Sequence, residues 1–199
     1  MIDVILAGGW LMLPILSCSV VAAAICVERY WSLREELVMP PELLALTIPQ
    51  LQQVLEDSAS REQLLLHSPL GAVLAVLGES DVDEMESARE AALTTVGHEL
   101  ETYLTALGII ALITPLLGIL GTVVGMIDVF TSLVSASGET AALAGGISTA
   151  LITTAAGLSI AIPTLVAHRL LLRKVDTLLL ILDEASQRWR VRLSAERRG

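Results

Sequence analysis

The chain has 199 residues, of which 54% are hydrophobic, and a formal net charge of −10. Its mean hydropathy of +0.72 excludes an ordinary soluble domain and points to an all-α integral membrane protein. The acidic balance gives no footing for nucleic-acid binding.

The first apolar segment runs from Trp10 to about Val27. No basic residue precedes it, and Glu28 and Arg29 follow it, the reverse of a secretory signal. It reads as an uncleaved span over 9–30, because about 20 helical residues cross a hydrocarbon core of ~30 Å. Cys18 and Cys26 lie in it and read as small buried hydrophobes, with no disulfide framework or metal site expected.

Residues 31–103 read as a helical, acid-rich segment. Pro40-Pro41 marks a break, and Glu42 to Glu56 has helical apolar spacing at Leu44, Ile48, Leu51 and Leu55, interrupted by Pro49. Pro69 is expected to open a short helix to Gly78. Asp81 to Tyr103 is expected to form a third helix that runs straight on into the next span, since only Gly108 weakens the stretch from Glu99 to Leu112.

Between Arg89 and Arg169 there is no lysine or arginine. Each would cost about 2.5–3.5 kcal/mol at the centre of a membrane helix. Inside this gap the runs Leu104–Ser135 and Thr140–Ala167 read as the second and third spans. The expected layout is a short outer N-terminal segment at 1–8 and span one at 9–30. The inner segment occupies 31–103, and span two with an inner extension 104–134. An outer loop at 135–143, span three at 144–168 and an inner C-terminal helix at 169–199 complete it. The orientation follows from the bases, Arg29 and Arg34 after span one and His168, Arg169, Arg173 and Lys174 after span three.

The two later spans are rich in small and hydroxylated residues. Ala111, Thr114, Gly118, Gly121, Thr122 and Gly125 fall within one arc of span two, and Gly121 to Gly125 has GxxxG spacing. Asp128 lies at the edge of this arc. Gly146, Thr149, Ala150, Thr153, Thr154, Gly157, Ala161 and Thr164 form a similar arc on span three. Such stripes suit an antiparallel hairpin, and they equally suit a wall for a further helix. Membrane threonines commonly return their hydroxyl to their own backbone. Pro115 and Pro163 release the carbonyls of Ala111 and Ser159, one turn earlier. The histidines have no ligand spacing, and no motif of a hydrolase, kinase or metalloenzyme is present, so nothing argues for an enzyme or a cofactor.

Thr114-Pro-Leu-Leu-Gly-Ile-Leu-Gly-Thr-Val-Val-Gly-Met-Ile-Asp-Val-Phe130 resembles span two of the MotA/TolQ/ExbB proton-channel family. Gly146-Ile-Ser-Thr-Ala-Leu-Ile-Thr-Thr-Ala-Ala-Gly-Leu-Ser-Ile-Ala-Ile-Pro163 resembles its span three, and Val27-Glu-Arg-Tyr-Trp31 its segment after span one. The resemblance, to the ExbB/TolQ-like branch, covers nearly the whole chain. It implies a ring, usually a pentamer, in the bacterial inner membrane. In that ring spans two and three line a central pore around a dimer of a single-span ExbD- or TolR-like partner. It implies that proton flow onto the partner's membrane Asp drives motion passed to a TonB- or TolA-like protein. By motif position Thr122 and Thr154 match the family's pore threonines, with Thr149, Thr153 and Asp128 as further candidates. Gly118, Gly121, Gly125, Gly146, Gly157, Pro115 and Pro163 serve packing. One departure stands out: Thr149 occupies a place where ExbB and TolQ commonly have Glu. The alternatives are a TolQ-like role in envelope integrity and division, or a membrane scaffold that does not conduct.

Overall fold

The computed structural model describes residues 9–57, 60, 68–135 and 140–198. Among them every regular element is a helix: α1 Met12–Ser32, α2 Glu35–Val38, α3 Pro41–Leu44, α4 Ile48–Glu56, α5 Pro69–Glu79, α6 Met85–Leu100, α7 Leu104–Ser135 and α8 Thr140–Arg198. Stretches of α1, α7 and α8, namely Met12–Ser32, Leu104–Thr131 and Ala144–Arg197, are long and apolar enough to cross a membrane. Among the described residues the protein is thus all-helical, with three membrane-length helices. The segments expected at 1–8 and across 136–139 lie outside the described residues.

Two compact units divide the chain. The first comprises Met1–Glu28 with Tyr103–Leu170, and the second Arg29–Thr102 with Leu171–Gly199.

The first unit holds α7, the start of α8 and most of α1. Its apolar surface is turned outward: Leu112 on α7 is 69% exposed and Leu151 on α8 63%. Water would penalise that surface heavily, whereas lipid tails solvate it, so this pattern belongs to helices that face a bilayer.

The second unit is organised as a water-soluble bundle. Along α8, Leu171, Val175, Leu178, Leu182, Trp189 and Leu193 recur every three, four or seven residues and are buried. They form the stripe that an amphipathic helix turns to a core. Leu70, Val73, Leu74 and Leu77 of α5 and Met85 and Val96 of α6 are buried as well. At about 1.5–3 kcal/mol for each fully buried large side chain, this stripe supplies the main drive for folding the unit. Local signals set the helix ends. Ser68 Oγ accepts from the Gly71 N–H at 3.1 Å, and Pro69 sits where a missing N–H is harmless. Gln50 Oε1 reaches back to accept from the Thr47 N–H at 2.9 Å.

A charged cluster ties α6 to α8. The Arg89 side chain is buried and hydrogen-bonds to Asp183, to Glu86 at 2.6 Å and to Ser186 Oγ at 3.4 Å. Arg190 Nε lies 2.7 Å from the same Glu86 carboxylate. The hydrogen bond from Arg89 is the largest influence holding the Glu86 carboxyl below its ordinary range. Near the end of α8, Arg197 donates to the carbonyls of Gly78 and Ser80 and so closes the C-terminus of α5.

Two expectations from the sequence need correction. Asp81–Tyr103 does not run on into span two, because α6 ends at Leu100 and α7 begins at Leu104. Tyr103 adopts a left-handed φ of +63°, and the Thr102 N–H turns back to the Glu99 carbonyl at 3.2 Å. A non-glycine residue in that region ends a right-handed helix, and Arg29 supports the end by donating to the Leu100 carbonyl at 3.4 Å. Pro49 does not interrupt a helix either. The break falls between Leu44 and Ile48, and Pro49 sits in the first turn of α4, where its lack of an N–H is tolerated. The ranges 144–168 and 169–198 lie on one helix of 59 residues, Thr140–Arg198, that runs past Pro163.

Candidate functional site

The first unit contains a seam between α7 and α8 built from residues without bulk. Its tightness is clearest at the glycines. A Cβ on Gly118 would lie 3.0 Å from Thr154 Cα, and one on Gly157 would lie 2.8 Å from the Thr114 carbonyl oxygen and 3.1 Å from Gly118 Cα. At Gly121 it would sit 2.4 Å from Thr153 Cγ2, at Gly125 3.0 Å from Ala150 Cβ, and at Gly146 2.0 Å from Val129 Cγ2. The helices therefore touch backbone to backbone, a contact that only glycine allows at the closest points. In lipid, where no hydrophobic effect draws helices together, such close contact is a principal source of association.

The hydroxyls in and beside the seam fall into two classes. Thr114 donates to Ile110 O at 2.6 Å, Thr153 to Thr149 O at 2.8 Å and Thr164 to Ile160 O at 2.7 Å, each within its own helix. Thr154 instead crosses the seam and donates to Gly118 O at 2.8 Å. Its partner carbonyl is within reach because Gly118 lets α8 approach.

The structure brings together Thr153 with Gly121, Thr154 with Gly118, and Gly157 with Thr114. Thr153 is enclosed, at 1% exposure. Thr122 and Thr149 are half-buried, and their hydroxyls stay on their own helices, to Ile119 O at 2.6 Å and Gly145 O at 3.1 Å. Asp128 is exposed on α7, outside the contacts just described. Pro115 is half-buried and Pro163 exposed. Among the described residues no group of three His, Cys, Asp or Glu could hold a metal ion.

Two features of this unit escape a reading by composition. A cavity of about 320 Å³ lies between α1 and α8, lined by Ser19, Ala22 and Cys26 on one side and Ser159, Pro163 and Ala167 on the other. Cys18 and Cys26 are only half-buried, not the fully buried hydrophobes expected. At the opposite end of the seam from Gly146, His168 fills the space that Gly108 leaves open. Gly108 is the signal for that contact, since a helix-weakening residue kept inside a span asks for a neighbour that needs the room.

A family profile described as the MotA/TolQ/ExbB proton channel family matches residues 51–184. The biopolymer transport protein exbB1 of Vibrio cholerae serotype O1 is 31% identical over 173 residues, covering 82% of this chain and 75% of that protein. An ExbB-like protein of Synechocystis sp., ExbB-like 1, is 31% identical over 181 residues, covering 86% and 70%. The biopolymer transport protein ExbB of Helicobacter pylori is 43% identical over a shorter stretch of 81 residues, covering 40% and 56%. The profile covers about two thirds of the chain and two ExbB relatives cover more than four fifths of it, and the chain therefore belongs to the MotA/TolQ/ExbB proton channel family, on its ExbB-like branch.

Proposed function

We propose that this chain is the ring-forming subunit of a proton channel in the bacterial inner membrane. With a dimer of an ExbD/TolR-like single-span partner in its pore, it converts proton motive force into work on a TonB- or TolA-like protein and so energises outer-membrane transport. The ring is a pentamer, with the N-terminus periplasmic and the C-terminus cytoplasmic, as the distribution of basic residues supports. The observation that carries the reading is the α7–α8 seam in a member of a proton channel family: a close-packed hairpin presenting half-buried threonines.

The hydroxyl geometry suggests how such a wall meets a titrating carboxylate. A protonated partner Asp is neutral and makes little demand on the wall. An ionised one needs donors. Thr122 and Thr154 supply them by releasing their present carbonyl acceptors. A neutral hydrogen bond contributes about 0.5–1.5 kcal/mol and one to a charged group about 1.5–3 kcal/mol, so the exchange favours the ionised Asp. At Thr154 the released acceptor belongs to the other helix, so the exchange also loosens the seam. Thr149 adds a hydroxyl and no charge where relatives commonly carry Glu, which leaves titration at that level of the membrane to the partner. Thr153, enclosed against Gly121, holds the hairpin together.

Proton uptake into vesicles containing this chain and its single-span partner tests the reading. Partner-dependent flux that collapses when Thr154→Val replaces the hydroxyl is expected. A complex that assembles and conducts nothing would leave the chain a scaffold.

A further inference from the structure

The seam positions of α8 run Gly146, Ala150, Thr153, Gly157, Ala161 and Thr164, each three or four residues after the last. The next place in that progression is His168. On α7 the corresponding run of small residues, Gly125, Gly121, Gly118 and Ala111, reaches Gly108. There the two meet. A Cβ on Gly108 would lie 2.9 Å from His168 Nε2 and 3.0 Å from Cε1. The imidazole thus stands against bare backbone, and among the seam residues just named it alone carries a ring.

His168 Nδ1 is buried and has no hydrogen-bond partner among the described residues. The seam hydroxyls of Thr114, Thr153, Thr154 and Thr164 all close a bond on a carbonyl. An open polar atom in such a place requires a reason, and a role in chemistry is one. Leu104 to Ile127 and Thr140 to Ala167 contain no acidic, basic or cysteine side chain. Asp128 follows the first of these stretches and His168 the second. The groups around the imidazole are few. Arg169 follows it on α8, the facing stretch of α7 offers none, and α1, packed on α8 at Ala167, carries Cys26 there with Glu28 and Arg29 beyond.

Resting on the proton-channel reading above, we infer that His168 is the proton acceptor at the inner end of the α7–α8 seam. Its Nδ1 lone pair takes a proton from hydronium arriving along the path, leaving water. The imidazolium then returns the proton to water on the inner side and regenerates the neutral ring. Imidazole suits the step because its charge changes near neutral pH.

The test uses the whole complex in vesicles, with proton uptake measured against internal pH from about 5.5 to 8. His168→Gln keeps the size and the hydrogen-bonding ends of the ring and cannot carry the proton. It should slow uptake about a hundredfold or more, the lower end of what positioned acid–base groups contribute, and flatten the pH profile. An unchanged rate and profile would overturn the inference, while a wild-type complex without partner-dependent flux would overturn the parent reading and this one together. Nitrogen-15 spectra of the wild-type His168 ring give a second readout that needs no variant. Titration across the same range is expected, and a ring fixed in one protonation state overturns the assignment.

Discussion

Gly157→Ala is the sharpest probe of the seam. The added Cβ would stand 2.8 Å from the Thr114 carbonyl oxygen and 3.1 Å from Gly118 Cα. Both contacts are backbone, so no rotamer change relieves them and the helices must part by several tenths of an ångström. Overpacking of this kind costs about 1–3 kcal/mol, and a clash with backbone belongs in the upper half of that range. Alanine returns about 1 kcal/mol of helix propensity. The net expectation is destabilisation by about 1–2 kcal/mol. Gly145→Ala is the internal control, because its Cβ meets nothing within 4 Å. It should be neutral or stabilising by up to about 1 kcal/mol. Reversible unfolding of the purified protein in mixed micelles, followed by helical circular dichroism, compares the two. If Gly157→Ala proves as stable as Gly145→Ala, the helices do not touch as described.

Thr154→Val should remove proton-driven work and weaken the hairpin by about 1 kcal/mol, while Thr154→Ser restores both; equal activity in Val and Ser variants would dismiss the hydroxyl. Asp128→Asn should alter the rate or pH dependence of proton uptake, and an identical profile would mark Asp128 as a residue of the membrane surface. Arg89→Ala leaves Glu86 and Asp183 without their buried partner; those carboxylates are 43% and 52% exposed, so water limits the loss to about 1–2 kcal/mol, read as a lower melting temperature. Glu86 ionises more readily in the folded chain than at its ordinary 4.5, so its contribution is complete above that pH and vanishes as pH falls through the lower folded value. Melting temperatures taken downward from about pH 5 should therefore fall less steeply for Glu86→Gln than for wild type.

The membrane helices were legible because apolar length is a one-dimensional property, and the seam because small residues recur at the helical repeat. Gly118, Gly121, Gly125, Gly146 and Gly157 all meet the opposing helix. The partition of the hydroxyls was not legible. Thr153 and Thr154 are adjacent and chemically identical, yet one bonds within its helix and the other across, a difference of about 100° around the axis. Nor was the break at Tyr103 legible. Tyrosine rarely adopts a left-handed backbone, and the guanidinium that supports the break, that of Arg29, lies 71 residues away from Leu100. Gly108 looked like a tolerated weakness and is in fact the space for His168. Each of these facts depends on a neighbour distant in sequence, which no local pattern encodes.

The bare-backbone seam also carries a thermal consequence. Burial from water, which holds the unit of Leu171 to Leu193 together, weakens on cooling because apolar hydration carries a large heat capacity. The α7–α8 contact releases no water when it forms among lipid tails. It rests on dispersion and on the Thr154 bond to Gly118, both enthalpic. Cooling therefore strengthens the main force holding the helix pair while it weakens the burial contribution that holds the bundle, so the leading forces in the two units of one polypeptide answer temperature with opposite signs.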